Sequence, residues 1–181
     1  MIRRICLFAG PDAGKTTTAY LLSGFLKRAR ARVEYVPEKA KEYAYEKRLF
    51  HTSSDQFLIF AKQKRMEELF LAKGADYVVC DSPISLPIYY AKLYNLKDDI
   101  EPMQMAEDIH EKKYPSLNIF LKKERIKELY NQEGRHQTFE GVCTIDKHIY
   151  SLLQKKNKPF YEFDAYDAEG IFEFVKKELK I

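Results

Sequence analysis

Apolar residues along this chain fall into two rhythms. Five short runs are almost wholly apolar: Ile5–Ala9, Val33–Val36, Asp76–Asp81 between its terminal acids, Leu117–Leu121 and Phe160–Phe163. Such runs read as strands buried on both faces. Between them, apolar residues recur every three or four positions, which predicts helices with one buried side. Thr16 to about Arg30 is the first, with Leu21, Leu22, Phe25 and Leu26 on its apolar face and Lys27, Arg28 and Arg30 closing it in positive charge. Glu38 to about Arg48 follows, then Asp55 to Lys73, capped by Ser53 or Ser54 and stopped by Gly74. Ile88 to about Tyr94 comes after a stretch made irregular by Pro83 and Pro87. Asp98 to Lys113 is interrupted early by Pro102. Cys143 or Thr144 opens a helix to about Lys156, and Asp167 to Lys180 closes the chain.

Strands alternating with helices five times predict βαβ units: an α/β fold of three layers, with a five-stranded parallel sheet covered on both faces. Residues 1–181 form one domain on this reading. Ligands then gather at the carboxyl ends of the strands. Four loops begin there: Gly10 to Thr16, Pro37-Glu38, Asp81-Ser82-Pro83, and the polar stretch after Leu121.

The first loop changes the picture from fold to chemistry. Gly10-Pro11-Asp12-Ala13-Gly14-Lys15-Thr16 lies between an apolar strand and the helical stretch begun by Thr17-Thr18. Strand, glycine loop, Lys-Thr and helix make a phosphate-binding P-loop. Gly10, Asp12, Ala13, Gly14, Lys15, Thr16 and Thr17 are its candidate nucleotide-binding residues. Loop N–H groups and the helix N-terminus face the phosphates, and a side chain at Gly14 would crowd that approach. Lys15 supplies a point charge, and the Thr16 hydroxyl can ligate Mg²⁺. The strict pattern G-x-x-x-x-G-K-S/T fails at its first position, which is Ala9; Gly10 comes one place late.

Composition narrows the setting. With 181 residues, 45% hydrophobic and 32% charged, a globular domain with a real core is expected. No run approaches a membrane span, and Arg3 and Arg4 precede too short an apolar run for a signal peptide, so a cytoplasmic location follows. Cys6, Cys80 and Cys143 show neither zinc spacing nor a disulfide framework; Cys6 and Cys80 read as buried thiols. The net charge of +4 suits a protein that handles polyphosphates and is compatible with nucleic-acid contact.

Three further sites can carry chemistry. Asp81 ends an apolar strand, where a P-loop protein places the acid that organises Mg²⁺ or acts as base toward an acceptor hydroxyl; as an alternative, it caps the next helix. Glu38 directly follows the second strand and points into the acceptor side of the cleft if that strand lies beside the P-loop strand; otherwise it is a first-turn acid. Residues 122–140 form a polar, basic segment that reads as a lid, with Arg125 and Arg135 placed to meet a transferring phosphoryl group, Gly134 allowing the backbone to swing. Gln56 and Gln63 share one helix face and either contact an acceptor base or sit at the surface. The histidines have no metal-ligand spacing and read as surface residues.

Taken in order, these pieces resemble the NadR-type ribosylnicotinamide kinases and their small stand-alone relatives, often viral, grouped under an AAA domain. Gly10 to Thr17 is similar to their loop, which also lacks the first glycine. Val36-Pro37-Glu38-Lys39-Ala40-Lys41-Glu42-Tyr43 resembles their next segment, with Lys41 where arginine is common, and Gln56 to Gln63 and Val79-Cys80-Asp81-Ser82 resemble later ones. Tyr130-Asn131, Gly134-Arg135, Gln137 and Asp146 to Leu153 resemble the lid and following helix of the stand-alone relatives. The resemblance implies a nucleoside- or nucleotide-kinase-like fold and phosphoryl transfer from ATP with Mg²⁺. Lys15, Glu38, Asp81, Arg125 and Arg135 are then the catalytic candidates, and Thr16 and Asp81 the metal ligands. The acceptor is a nucleoside or nucleotide, such as nicotinamide riboside or a deoxynucleotide. Two other readings stay open: a kinase of polynucleotide ends or hydroxymethylated pyrimidines in DNA, and a nucleotide-dependent switch. A homodimer also stays open.

Overall fold

The computed structural model describes residues 1–45, 52–123, 138–156 and 159–181. Five strands form one sheet: β1 (Arg4–Phe8), β2 (Val33–Val36), β3 (Tyr77–Cys80), β4 (Ser116–Lys122) and β5 (Phe160–Asp164). Their order is β2-β3-β1-β4-β5 and every neighbouring pair is parallel. Seven helices accompany them: α1 (Lys15–Arg28), α2 (Ala40–Tyr45), α3 (Ser53–Ala72), α4 (Ser85–Leu93), α5 (Ile100–Lys113), α6 (Phe139–Lys155) and α7 (Ala168–Leu179).

The alternation within β1 builds two cores. Ile5 and Leu7 face one way and pack with Leu22 and Leu26 of α1 and Ile171 and Val175 of α7. Cys6 and Phe8 face the other way and pack with Phe60 of α3, Ile88 and Tyr89 of α4, Met103 of α5 and Ile149 of α6. Helices on both faces of a parallel sheet give three layers, as the apolar runs predict. No helix among the described residues is long and apolar enough to cross a membrane.

Several local expectations are corrected. Helix α4 begins at Ser85, so Pro87 lies inside its first turn, where a missing N–H costs no helical hydrogen bond. Pro102 likewise falls in the first turn of α5, which runs on without a break. Thr52 rather than Ser53 or Ser54 caps α3, in a reciprocal capping box with Asp55. Helix α6 starts at Phe139, capped by Thr138, several residues before Cys143. His110 is buried, not at the surface. Strand β2 sits at the sheet edge, with β3 between it and β1, so the premise placing Glu38 beside the P-loop strand fails. The lid expected over 122–140 falls largely outside the described residues, as do Arg125 and Arg135.

Candidate active site

The β1–α1 loop turns where β1, the central strand of the sheet, ends. Gly14, the residue before α1, has φ 82°, and Asp12 has φ 62°. Glycine adopts that backbone freely, whereas a side chain is strained there. A Cβ on Gly14 would meet Ala165 only at ordinary contact distance, 3.8 Å, so on the protein side conformation rather than space demands glycine. At Gly10 space decides. Its N–H donates to Asp146 Oδ1 of α6 at 2.6 Å, and a Cβ there would lie 2.7 Å from the same oxygen. Gly10, one residue later than the strict motif asks, is therefore the glycine that lets α6 close against the loop.

Lys15 is buried, and its ammonium donates to the carbonyls of Ala9 and Gly10, both at 2.9 Å. The charge is thus held inside the curve of the loop rather than in solvent. Ala13 is buried under the loop, and Thr18 Oγ1 donates to the Gly14 carbonyl at 3.0 Å. Thr17 is exposed. On the loop's outer side, Lys123 donates to the Asp12 carbonyl at 2.8 Å, so the first residue past β4 is tied to the P-loop.

Asp81 comes one residue after β3, and its N–H donates to the Val36 carbonyl of β2. Its side chain is wholly buried. Thr16 Oγ1 donates to Asp81 Oδ2 at 2.7 Å, and the Tyr35 hydroxyl donates to the same oxygen at 3.0 Å. The Ile84 position before α4 has no side-chain cap, so Asp81 is not spent as a helix cap. Burial first, then the Asp81 charge and hydrogen bond, push the Tyr35 phenol upward, which keeps it a neutral donor. Asp81 Oδ1 is buried with no hydrogen-bond partner among the described residues. An ionised oxygen buried without a partner is costly unless something positive reaches it. A hard oxygen pair of this kind, one hydroxyl and one carboxylate, fits Mg²⁺, which takes few protein ligands beside substrate phosphates.

Glu38 follows β2 across the edge of the sheet and still reaches this cluster electrostatically. Burial raises its pKa above the usual carboxylate range, and the Asp81 charge adds to the rise; Lys15 and Lys41 pull it back only in part. Lys41, in the first turn of α2, hydrogen-bonds Thr16 Oγ1 and stands 3.7 Å from Asp81 Oδ2. Gln56 and Gln63 are both buried, which removes the surface alternative; Gln63 Oε1 accepts from the Lys39 N–H at 3.3 Å, one residue past Glu38.

Thr16 and Asp81 are therefore joined beside Lys15, and Glu38 lies within electrostatic reach of Lys15 and Asp81, while Arg125 and Arg135 lie outside the described residues. Sequence reasoning did not find Tyr35 at this site. Its place in a short edge strand carries no local mark, and only the β2–β3 pairing brings it to Asp81.

A family model described as an AAA domain matches residues 4–169. No curated protein matches the sequence. Among solved structures, NadR protein in complex with NAD and AMP-PNP is similar at TM-score 0.74 and 14% identity, over 99% of this chain and 50% of that one. This chain thus spans half the length of the NadR chain it matches. YorR protein from Bacillus subtilis in complex with phosphorylated GDP is similar at TM-score 0.58 and 16% identity, over 98% of each chain. Deoxyadenosine kinase from M. mycoides with bound dATP is similar at TM-score 0.57 and 17% identity, over 98% of this chain and 100% of that one. At these identities the likeness is one of fold.

Proposed function

The chain belongs to the AAA-domain family and has the three-layer fold of P-loop nucleotide kinases, and from that premise we propose that it transfers the γ-phosphoryl group of ATP to a hydroxyl of a nucleoside- or nucleotide-like acceptor. The observation that carries this reading is the buried Asp81 carboxylate fixed on the Thr16 hydroxyl, with Glu38 within electrostatic reach of both Lys15 and Asp81. A nucleotide switch needs the first pair; a second carboxylate coupled to it is what a transferase adds.

In this reading the loop N–H groups and the Lys15 ammonium hold the donor phosphates. Thr16 and Asp81 hold Mg²⁺, which when bound neutralises charge on those phosphates. The Tyr35 hydroxyl keeps Asp81 oriented. Glu38 takes the proton of the acceptor hydroxyl, because its raised pKa makes it a stronger base than an ordinary carboxylate while Asp81 is engaged with Thr16 and Tyr35. Arg125 and Arg135, in a lid over 122–140, meet the transferring group. Activity in the cytoplasm belongs to the same proposal.

The test is label transfer from γ-labelled ATP with Mg²⁺ across nicotinamide riboside, nucleosides, deoxynucleoside monophosphates and DNA bearing ordinary or hydroxymethylated pyrimidines. Label on one small acceptor, lost by at least about a hundredfold in Lys15→Ala with an unchanged circular-dichroism melt, is the expected result. Label on DNA alone moves the acceptor class to nucleic acid. Hydrolysis that no acceptor stimulates overturns the transferase reading in favour of a switch.

A further inference from the structure

Lys41 holds a position that neither the nucleotide loop nor the proton transfer accounts for. Its ammonium donates to Thr16 Oγ1 and lies 3.7 Å from Asp81 Oδ2. Those two oxygens are themselves 2.7 Å apart. Adjacent oxygens around an octahedral Mg²⁺, at ~2.1 Å from the metal, are ~3 Å apart. The pair is therefore already spaced nearly as two neighbouring ligands, and one lysine cation rests on both. Thr16 donates its proton to Asp81, so Lys41 takes up one of the two lone pairs through which Thr16 Oγ1 would ligate a metal.

We infer that Lys41 is a tethered counter-ion for the Thr16–Asp81 pair, which a divalent cation displaces on entering, so that this residue sets the metal affinity of the site. The inference rests on the reading of Thr16 and Asp81 as the metal-holding pair. Asp81 is wholly buried and needs positive charge beside it, while Lys41 is 46% exposed at its side chain. The buried acid is fixed and the cation is the mobile partner, because a four-carbon stem ending in a compact ammonium swings out at little cost. Two cations on one carboxylate repel, so the lysine weakens metal binding by competition and keeps the carboxylate compensated when no metal is present. Loading of the metal then releases a positive charge beside Glu38, whose carboxylate Lys41 already influences.

The experiment is Mn²⁺ binding to the full chain without nucleotide, read by the electron paramagnetic resonance of free Mn²⁺ at low salt. Lys41→Met is expected to bind about tenfold more tightly than the unchanged chain, the gain being limited by solvent screening of an exposed ammonium. Lys41→Arg, which restores the charge, is expected to return the affinity to the unchanged level, and Asp81→Asn to abolish binding. A merely structural lysine would give equal affinities in all three charged and neutral forms at position 41, and that result overturns the inference. Absence of Mn²⁺ binding by both the unchanged chain and Lys41→Met overturns it as well. Phosphoryl transfer by the unchanged chain is scored separately: transfer with equal Mn²⁺ affinities removes only the role of Lys41, whereas tighter binding by Lys41→Met without any transfer removes only the kinase reading.

Discussion

At the scale of single residues, Glu38 is where stability and the proposed activity pull in opposite directions. Its pKa is raised in the fold by burial and by Asp81. A carboxyl whose folded pKa lies above its unfolded value of 4.5 stabilises the protein below that value and stops doing so as pH rises through the folded pKa. Ionisation of Glu38 therefore works against the fold as pH rises. Glu38→Gln should melt at a higher temperature than the unchanged chain at pH 7, and the gap should close toward pH 4. The same substitution should lower kcat by about a hundredfold or more. The acid limb of kcat/KM in the unchanged chain should report the Glu38 carboxyl. A variant that is neither more stable nor slower removes Glu38 from the site. Lys15, Thr16 and Asp81 were legible in the sequence because the P-loop is contiguous and an acid after an apolar strand is a local sign. Tyr35 and Asp146 were not legible as partners, because they reach Asp81 and Gly10 across 46 and 136 residues of chain.

At the scale of elements, the loop's shape depends on a helix far from it in sequence. The Gly10 N–H is satisfied by Asp146 of α6, and Ile145 beside it packs in the core with Phe8 of β1. Asp146→Ala leaves that amide without its charged acceptor, which costs about 1–3 kcal/mol where a charge-assisted bond is lost. Urea unfolding should show that loss of stability. Nucleotide binding by calorimetry should weaken more than it does in Thr52→Ala, a cap substitution at the start of α3 that costs about 1 kcal/mol. Equal nucleotide affinity in the two variants would mean that α6 supports the fold but not the loop. The three inner strands were readable because a sheet covered on both faces leaves no alternation to confuse with a helix, whereas the edge strands β2 and β5, expected to be covered too, are only partly buried. Helix starts were not. Pro87 looks like a breaker in sequence, yet in a first turn it breaks nothing, and Thr138 sits at the end of a polar run that hides its cap.

At the scale of the whole molecule, the candidate site and a buried cluster of charges lie at opposite ends of the sheet. The candidate site lies past the carboxyl ends of the strands, whereas Arg4, at the amino end of β1, anchors the other end. Its guanidinium meets Glu67 of α3 at 2.7 Å and Glu111 of α5 at 3.0 Å, and His110 Nε2 stands 2.9 Å from the same Glu67 oxygen. Glu111 also accepts from the Ser116 N–H at the start of β4. Arg4, Glu67 and His110 are all essentially excluded from solvent. Burial pushes the Glu67 carboxyl up, but Arg4 and His110 outweigh it and hold the group below 4.5. Burial opposes the charge of Arg4 too, and Glu67 with Glu111 overcomes it. Removing one partner of such a pair strands the other charge, so Glu67→Gln should cost about 3–5 kcal/mol at pH 7 by urea unfolding. The sign with pH follows from the lowered carboxyl. Its contribution is complete above 4.5 and is lost as pH falls through the folded value. The stability gap between the unchanged chain and Glu67→Gln should therefore be flat near neutrality and shrink as the solution is acidified below 4.5. A gap of constant size down to pH 3 would show that the shape of the glutamate, and not its charge, holds β1 to α3 and α5.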